Sequence, residues 1–102
     1  MIHSSIQEKI PEVVKFLKQN HVSRAYLFGS VCNEKFNDES DVDLLISFDE
    51  SLNLHEYADH YWILDEELPK LFGRPVDLIT ERQLHNPYFI KVLNRTRTAL
   101  YE

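Results

Sequence analysis

The stretch YLFGSVCNEKFNDESDVDLLISF, Tyr26–Phe48, holds the most informative pattern in this chain. An apolar run ends at Gly29, one of only two glycines among 102 residues, and Ser30 follows it. After ten intervening residues, Asp41 and Asp43 stand on either side of a single valine, at the start of a second apolar run. A strand that ends in a flexible turn explains the glycine, but it does not explain two charged residues at the start of a strand.

Helices are predicted on both sides of this stretch. Apolar residues recur at helical spacing over the first twenty residues, which predicts an amphipathic helix that either begins near Pro11 or is kinked there. Apolar positions at steps of four and three predict a longer helix over Leu52–Phe72, with Gly73 as its stop signal. An Asn-Pro pair opens a third predicted helix, over residues 86–94.

Short runs rich in aliphatic and aromatic residues predict four strands. They are Arg24–Phe28, Val42–Phe48, Arg74–Thr80 and, as an edge strand, Thr98–Tyr101. This order of helices and strands predicts an α/β (α+β) fold, in which helices pack on a small mixed β-sheet. At this length we expect a single domain over residues 1–102.

The composition argues against several classes of function. Eleven Lys and Arg against seventeen Asp and Glu give a net charge of -6. This charge would repel a phosphate backbone, so non-specific nucleic-acid binding is not expected. The apolar runs are far shorter than the roughly 20 residues that cross a bilayer, and the stretch MIHSSIQEKI has neither the basic nor the apolar segment of a signal peptide. We therefore expect a cytoplasmic protein without membrane contact, and nucleotide binding remains open if carboxylates hold divalent cations.

Asp41, Asp43 and Asp77 are the candidate catalytic and metal-binding residues. Because side chains alternate along a strand, Asp41 and Asp43 are predicted to point to one face while Val42 points to the core. Divalent ions held by such a pair can clamp the attacking and leaving oxygens of a phosphoryl displacement. Asp77 could join the pair if its strand is the neighbour of the second strand, and could then orient or deprotonate an attacking hydroxyl.

Gly29 and Ser30 are the candidate nucleotide-binding residues. A residue without a Cβ at a strand end lets backbone N–H groups approach a phosphate, and the Ser30 hydroxyl adds a donor or caps a following helix. By itself, an Asp-x-Asp motif is most often a solvated strand end, and a Gly-Ser pair is only a turn. Their combination, with Asp77 on a plausible neighbouring strand, favours a site for a metal-bound triphosphate.

The Gly-Ser pair, ten intervening residues and the Asp-Val-Asp triplet resemble the signature of the DNA polymerase beta-type nucleotidyltransferase superfamily, specifically its minimal nucleotidyltransferases. The contexts YLFGS, SDVDLLISF and GRPVDLIT extend this resemblance over nearly the whole chain. The resemblance implies a polymerase beta-like fold and Mg²⁺, as two ions, at Asp41 and Asp43. It also implies a triphosphate near Gly29 and Ser30, with Asp77 as the third catalytic carboxylate.

Minimal nucleotidyltransferases of this kind resemble antitoxins that are encoded beside HEPN-domain ribonuclease toxins. The resemblance therefore implies a magnesium-dependent protein adenylyltransferase that moves AMP from ATP to a tyrosine hydroxyl of its toxin, within a hetero-oligomeric complex. On the long helix, Trp62 and Ile63 lie off the apolar stripe and are predicted to be exposed. They are either scattered surface residues or part of a patch that binds a partner.

The turn after Ser30 departs from the family pattern. Members often read G-S-x-A-R-G, whereas this chain reads GSVCNE, with Asn33 in place of arginine and Glu34 in place of glycine. Lys35 could supply the cation instead. This departure leaves open a catalytically weak or inactive member that inhibits a partner by binding it. A separate alternative is nucleotidyl transfer to a small molecule.

Overall fold

A computed structural model of the chain describes residues 2, 4–32, 37 and 39–102, without the side chains of residues 30 and 92. Within these residues four strands form one mixed sheet, in the order β3-β2-β1-β4. β1 pairs antiparallel with both β2 and β4, and β2 pairs parallel with β3. The strands are β1 Val22–Phe28, β2 Val42–Phe48, β3 Val76–Thr80 and β4 Thr98–Tyr101. The four predicted strands are therefore confirmed, with Thr98–Tyr101 at a sheet edge.

Helices cover this sheet. They are α1 Ser4–Gln7, α2 Ile10–Gln19, α3 Leu54–Phe72 and α4 Pro87–Thr96, with short 3₁₀ turns at Gly29–Cys32 and Glu81–Gln83. The predicted first helix is divided in two, and Pro11 lies in the first turn of α2, where its missing N–H interrupts no helical hydrogen bond. Across the described part of the chain, no helix combines the length and apolar character that spanning a membrane requires.

The ends of α3 are set by its sequence. The Asn53 side chain accepts a hydrogen bond from the Glu56 N–H at 2.8 Å, and the Glu56 carboxylate accepts one from the Asn53 N–H at 3.1 Å. This reciprocal capping box satisfies two N–H groups that the helix itself cannot bond. At the other end Gly73 adopts a left-handed conformation with φ of 70°, as predicted for a stop signal.

The two faces of the sheet are covered by different helices. The main core joins side chains from one face of β2 with buried residues of α1, α2 and α3, among them Leu44, Ile46, Leu64 and Phe72. A smaller cluster on the other face packs Leu93 of α4 against three sheet residues, Tyr26, Phe28 and Leu45. Burial of each large aliphatic or aromatic side chain contributes about 1.5–3 kcal/mol.

This division places the aspartates of β2 and β3. Val42 and Leu44 belong to the main core, so strand alternation puts the intervening Asp43 on the face that α4 covers only in part. The parallel register aligns Asp43 with Asp77. The neighbouring position that the sequence analysis required for the third strand is thus confirmed.

Candidate active site

Three aspartates meet at one end of the sheet, on the side of α4. Asp43 on β2 and Asp77 on β3 are register partners on strands that lie about 4.8 Å apart. Asp41 immediately precedes β2 and acts electrostatically on Asp43. Asp41 and Asp77 are exposed, whereas Asp43 is half-buried between them. The fold therefore brings together the three carboxylates that the sequence analysis named.

The electrostatics of Asp43 are those of a carboxylate crowded by like charges. Burial, and then the negative charges of Asp77 and Asp41, raise the pKa of Asp43 from 3.8 to about 6. Both causes act by disfavouring the ionised form. A divalent cation at this position would reverse the balance, because it attracts the same three carboxylates that repel one another.

The residues fit a magnesium ion that binds together with a nucleotide. Over residues 2, 4–32, 37 and 39–102, no three His, Cys, Asp or Glu side chains are arranged as a preformed metal site. Mg²⁺ commonly takes only one or two protein carboxylates and completes its ligands with substrate phosphates and waters. Aspartate oxygens are the hard ligands that Mg²⁺ prefers, so the three side chains offer a suitable partial set.

Gly29 is packed directly against Asp43. It follows Phe28, the register partner of Asp43 on β1, and has a left-handed φ of 74°. A Cβ at Gly29 would overlap Asp43 Oδ2 and lie 3.3 Å from Asp43 Cγ. The missing side chain thus makes room for the carboxylate, which is a reason for this glycine that the sequence analysis did not give.

The expected phosphate contact of this turn stays a prediction. The Gly29 N–H donates to the Thr96 hydroxyl over a long 3.4 Å, so a phosphate oxygen would have to replace or share that acceptor. Ser30 lies in the 3₁₀ turn Gly29–Cys32, but its side chain is outside the described part of the structure. The same holds for Asn33, Glu34 and Lys35, where the sequence departs from the family pattern.

The segment that leads into Asp41 is held by a residue that the sequence analysis missed. Arg74 Nη1 donates to the backbone carbonyls of Asn37 and Ser40, at 2.9 and 3.1 Å. The Val42 N–H donates to the Pro75 carbonyl at 3.0 Å. Arg74 therefore positions the chain just before Asp41 and Asp43. No sequence motif indicates this role, because both acceptors are backbone atoms that are distant from Arg74 in sequence.

A cleft of about 530 Å³ lies beside Asp77, which is one of its lining residues. Its walls come from α3, β3, the segment that leads into α4 and α4 itself, and they include Tyr61, Leu84 and Phe89. Burial, followed by the charge of Asp65, raises the pKa of the Tyr61 phenol, which donates to the Leu78 carbonyl at 3.2 Å. The sequence showed Tyr61 only as one position in an apolar helix stripe.

Comparisons with known proteins agree with this geometry. The family model described as "Nucleotidyltransferase domain" matches residues 8–99. The chain is 39% identical over 89 residues to "Putative protein adenylyltransferase MJ1379" of Methanocaldococcus jannaschii, a match that covers 86% of this chain and 87% of that protein.

Solved structures match as well. A structure described as a "putative minimal nucleotidyltransferase" aligns with a TM-score of 0.72 and 26% identity over 96% of this chain and 95% of that chain. A chain from the complex of a tri-AMPylated HEPN toxin of Shewanella oneidensis with its MNT antitoxin aligns with a TM-score of 0.66 and 21% identity, covering 93% of this chain and 71% of that chain.

These matches confirm the resemblance, the polymerase beta-like fold and the enzyme class that the sequence predicted. The assignment of one domain to residues 1–102 and the roles of the individual site residues stay predictions. Because the family model spans nearly the whole chain and the fold brings the aspartates together, the chain belongs to the nucleotidyltransferase domain family.

Proposed function

We propose that this chain transfers AMP from ATP, with Mg²⁺, to a tyrosine hydroxyl of a partner protein, and that the partner is a HEPN-type ribonuclease toxin that the modification silences. The observation that carries the chemistry is the pairing of Asp43 with Asp77 on adjacent strands, with Gly29 packed against Asp43. The choice of acceptor is supported by a relative named for protein adenylylation and by the fold shared with an AMPylated toxin–antitoxin complex. Both proteins would act in the cytoplasm.

In this proposal Asp41 and Asp43, with Asp77, hold two Mg²⁺ ions together with the triphosphate of ATP. When bound, the ions supply charge neutralisation at the phosphates and polarise the reacting oxygens. The chain itself contributes the fixed spacing of the carboxylates, which parallel pairing of β2 and β3 imposes. The raised pKa of Asp43 is consistent with a site built for a cation, because its carboxylate is unfavourable without one.

The reaction forms one bond and breaks one bond at the α-phosphorus. The tyrosine oxygen attacks the α-phosphorus, the bond to the β-phosphate bridging oxygen breaks, and pyrophosphate leaves. The phenolic proton passes to the Asp77 carboxylate and then to water, so the products are O-adenylyl-tyrosine, pyrophosphate and one proton. Asp77 suits this role because it is exposed at the sheet edge and is a direct neighbour of Asp43.

The acceptor is expected to come from another protein. In the part of the chain that the structure describes, helices and short 3₁₀ turns surround one sheet, and Asp41 and Asp77 are exposed beside the half-buried Asp43. A hydroxyl carried on a partner surface can therefore reach Asp77. Partner recognition would supply the positioning that brings the hydroxyl into line.

The test incubates the protein with Mg²⁺, α-labelled ATP and the purified product of the adjacent reading frame. Wild type is expected to label that partner, and Asp43→Asn is expected to abolish the labelling. Asp59→Asn, at a side chain that is 63% exposed on α3, is the matched control and should label normally. ATP labelled at the γ-phosphate should leave the partner unlabelled, because pyrophosphate carries that phosphate away.

Each remaining outcome selects an alternative. Equal labelling by wild type and Asp43→Asn would overturn the assignment of the aspartates. Tight binding of the partner without labelling by either protein would identify an inhibitory binding module. Release of labelled adenylylated small molecules from a cell extract, with no labelled protein, would identify a small-molecule nucleotidyltransferase.

A further inference from the structure

The cleft beside Asp77 is separate from the side of the site that holds Gly29. Its lining includes Asp77 but not Asp41, Asp43 or Gly29. Asp77 lies on β3, at one edge of the sheet, while Gly29 follows β1, which is two strands away. Asp43, on β2, therefore lies between Gly29, where the phosphates are predicted to bind, and the cleft beside Asp77.

Five of the nine residues that line the cleft are apolar or aromatic, and several of them are held in place by contacts with their neighbours. Tyr61 is fixed by its bond to the Leu78 carbonyl, and Phe89 contacts Phe28 edge to face with ring centroids 6.0 Å apart. Leu84 and Ile79 are half-buried and pack on the cluster around Leu93. At about 530 Å³ the space lies within the range of small-ligand sites, and such walls suit a flat aromatic group.

The side-chain oxygens of two polar lining residues, Gln83 and Asn86, accept hydrogen bonds from the backbone. Gln83 Oε1 accepts from the Thr80 N–H at 3.0 Å, and Asn86 Oδ1 accepts from the Tyr88 N–H at 2.9 Å. Asp77 and His85, both exposed, also line the cleft. An aromatic ligand with a polar tip would thus find a carboxylate at one position and apolar surface along its ring.

The stereochemistry of phosphoryl transfer decides what such a ligand is. In an in-line displacement the attacking and leaving oxygens lie on opposite sides of the α-phosphorus. If the leaving pyrophosphate lies toward Gly29, the nucleophile must arrive from the opposite side, which is the side of Asp77 and the cleft. The 5′ oxygen of the nucleoside takes neither of these two positions on the α-phosphorus.

We propose that the cleft binds the acceptor tyrosine of the partner protein, with the tyrosine ring against the apolar walls and its hydroxyl at Asp77. We call it the acceptor cleft; beside Asp77 it is lined by Tyr61, Ile79, Leu84, His85 and Phe89. This inference rests on the proposed function and adds to it the residues that select the acceptor. Two exposed aromatic side chains on the helices that wall the cleft suit a protein partner: Trp62 on α3 is 68% exposed, and Tyr88 on α4 is 76% exposed.

The direct test maps two ligands on isotope-labelled protein by amide chemical shifts. N-acetyl-tyrosinamide, at millimolar concentration, is expected to shift the amides of residues 83–86, 61 and 89. A non-hydrolysable ATP analogue with Mg²⁺ is expected to shift residues 29 and 41–43 instead. N-acetyl-alaninamide, which lacks the ring, is the matched ligand control and should shift neither set.

The outcomes separate this inference from the proposed function. If the nucleotide shifts residues 83–89 and the tyrosine derivative does not, the cleft binds the base and the inference is overturned while the function stands. If the tyrosine derivative shifts neither these residues nor any others near Asp77, the cleft does not recognise the acceptor. If the nucleotide produces no shifts anywhere, the proposed function itself fails.

Kinetics give a second, independent readout with the partner protein as acceptor. Leu84→Ala removes part of the apolar wall and should raise KM for the acceptor about tenfold, with KM for ATP unchanged. His85→Ala alters an exposed lining residue without risk to folding and should also change only the acceptor KM. Glu66→Gln, at an exposed position on α3, is the control. A rise in the ATP KM with an unchanged acceptor KM would contradict the assignment.

Discussion

Replacement of Asp43 by asparagine should abolish nucleotidyl transfer and yet stabilise the metal-free protein. Burial and the charges of Asp77 and Asp41 raise the pKa of Asp43 from 3.8 to about 6. The Asp43 carboxyl therefore stays protonated to a higher pH in the folded protein than in the unfolded chain. Its ionisation lowers the free energy of unfolding progressively as the pH rises from about 4 to about 6. Asparagine cannot ionise, so the variant escapes that cost at neutral pH.

The size of the effect follows from the pKa. A difference of about 2 pH units between the folded and unfolded states corresponds to about 3 kcal/mol in the free energy of unfolding. Because Asp43 is only half-buried, solvent screening reduces this to about 1 kcal/mol. For a domain of this size, a gain of about 1 kcal/mol raises Tm by about 5 °C.

Thermal unfolding in the presence of EDTA measures this gain. Asp43→Asn is expected to have the higher Tm at about pH 8 and to match wild type at about pH 4, where the carboxyl of the folded protein is protonated. Mg²⁺ with a non-hydrolysable ATP analogue should then raise the Tm of wild type far more than that of the variant, because only wild type keeps the full ligand set. Asp59→Asn should change Tm little at either pH, since its side chain is 63% exposed.

A Tm for Asp43→Asn that is equal to or below that of wild type at about pH 8 would refute the electrostatic reasoning. A gain of the same size at both pH values would also refute it, because the stabilisation would then come from something other than ionisation. Loss of transfer activity together with the stability gain would identify Asp43 as a residue kept for function at the expense of stability.

Four further predictions concern single substitutions. Gly29→Ala should lower transfer about 100-fold, because its Cβ displaces the Asp43 carboxylate. Gly73→Ala, at nearly the same φ of 70° but next to only the flexible end of Lys9, should cost about 1 kcal/mol of stability in urea unfolding and leave activity intact. Arg74→Ala should lower kcat with little change in Tm, because it frees the segment before Asp41; a normal kcat would rule out this positioning role. Asn53→Ala should cost about 1 kcal/mol without affecting transfer, as the capping box of α3 is remote from the aspartates.

Local patterns were enough to place most elements of the fold. β2 matches the predicted run Val42–Phe48, and α3 ends at the predicted Gly73, because strand alternation and helix capping depend on neighbouring residues. The first helix was ambiguous at Pro11, since a helix that begins there and a helix that is kinked there share one apolar pattern. In the structure α1 ends at Gln7, and α2 begins at Ile10 with Pro11 in its first turn.

The sequence by itself also determined the family, because the Gly-Ser and Asp-Val-Asp motifs lie close together at a fixed spacing. It could not determine how those motifs work. Four features of the site join residues that are distant along the chain. They are the pairing of Asp43 with Asp77, the packing of Gly29 against Asp43, the hydrogen bonds from Arg74 to the segment before Asp41, and the cleft at Tyr61. Such contacts depend on strand order and on the register between strands, and no local periodicity encodes either of them.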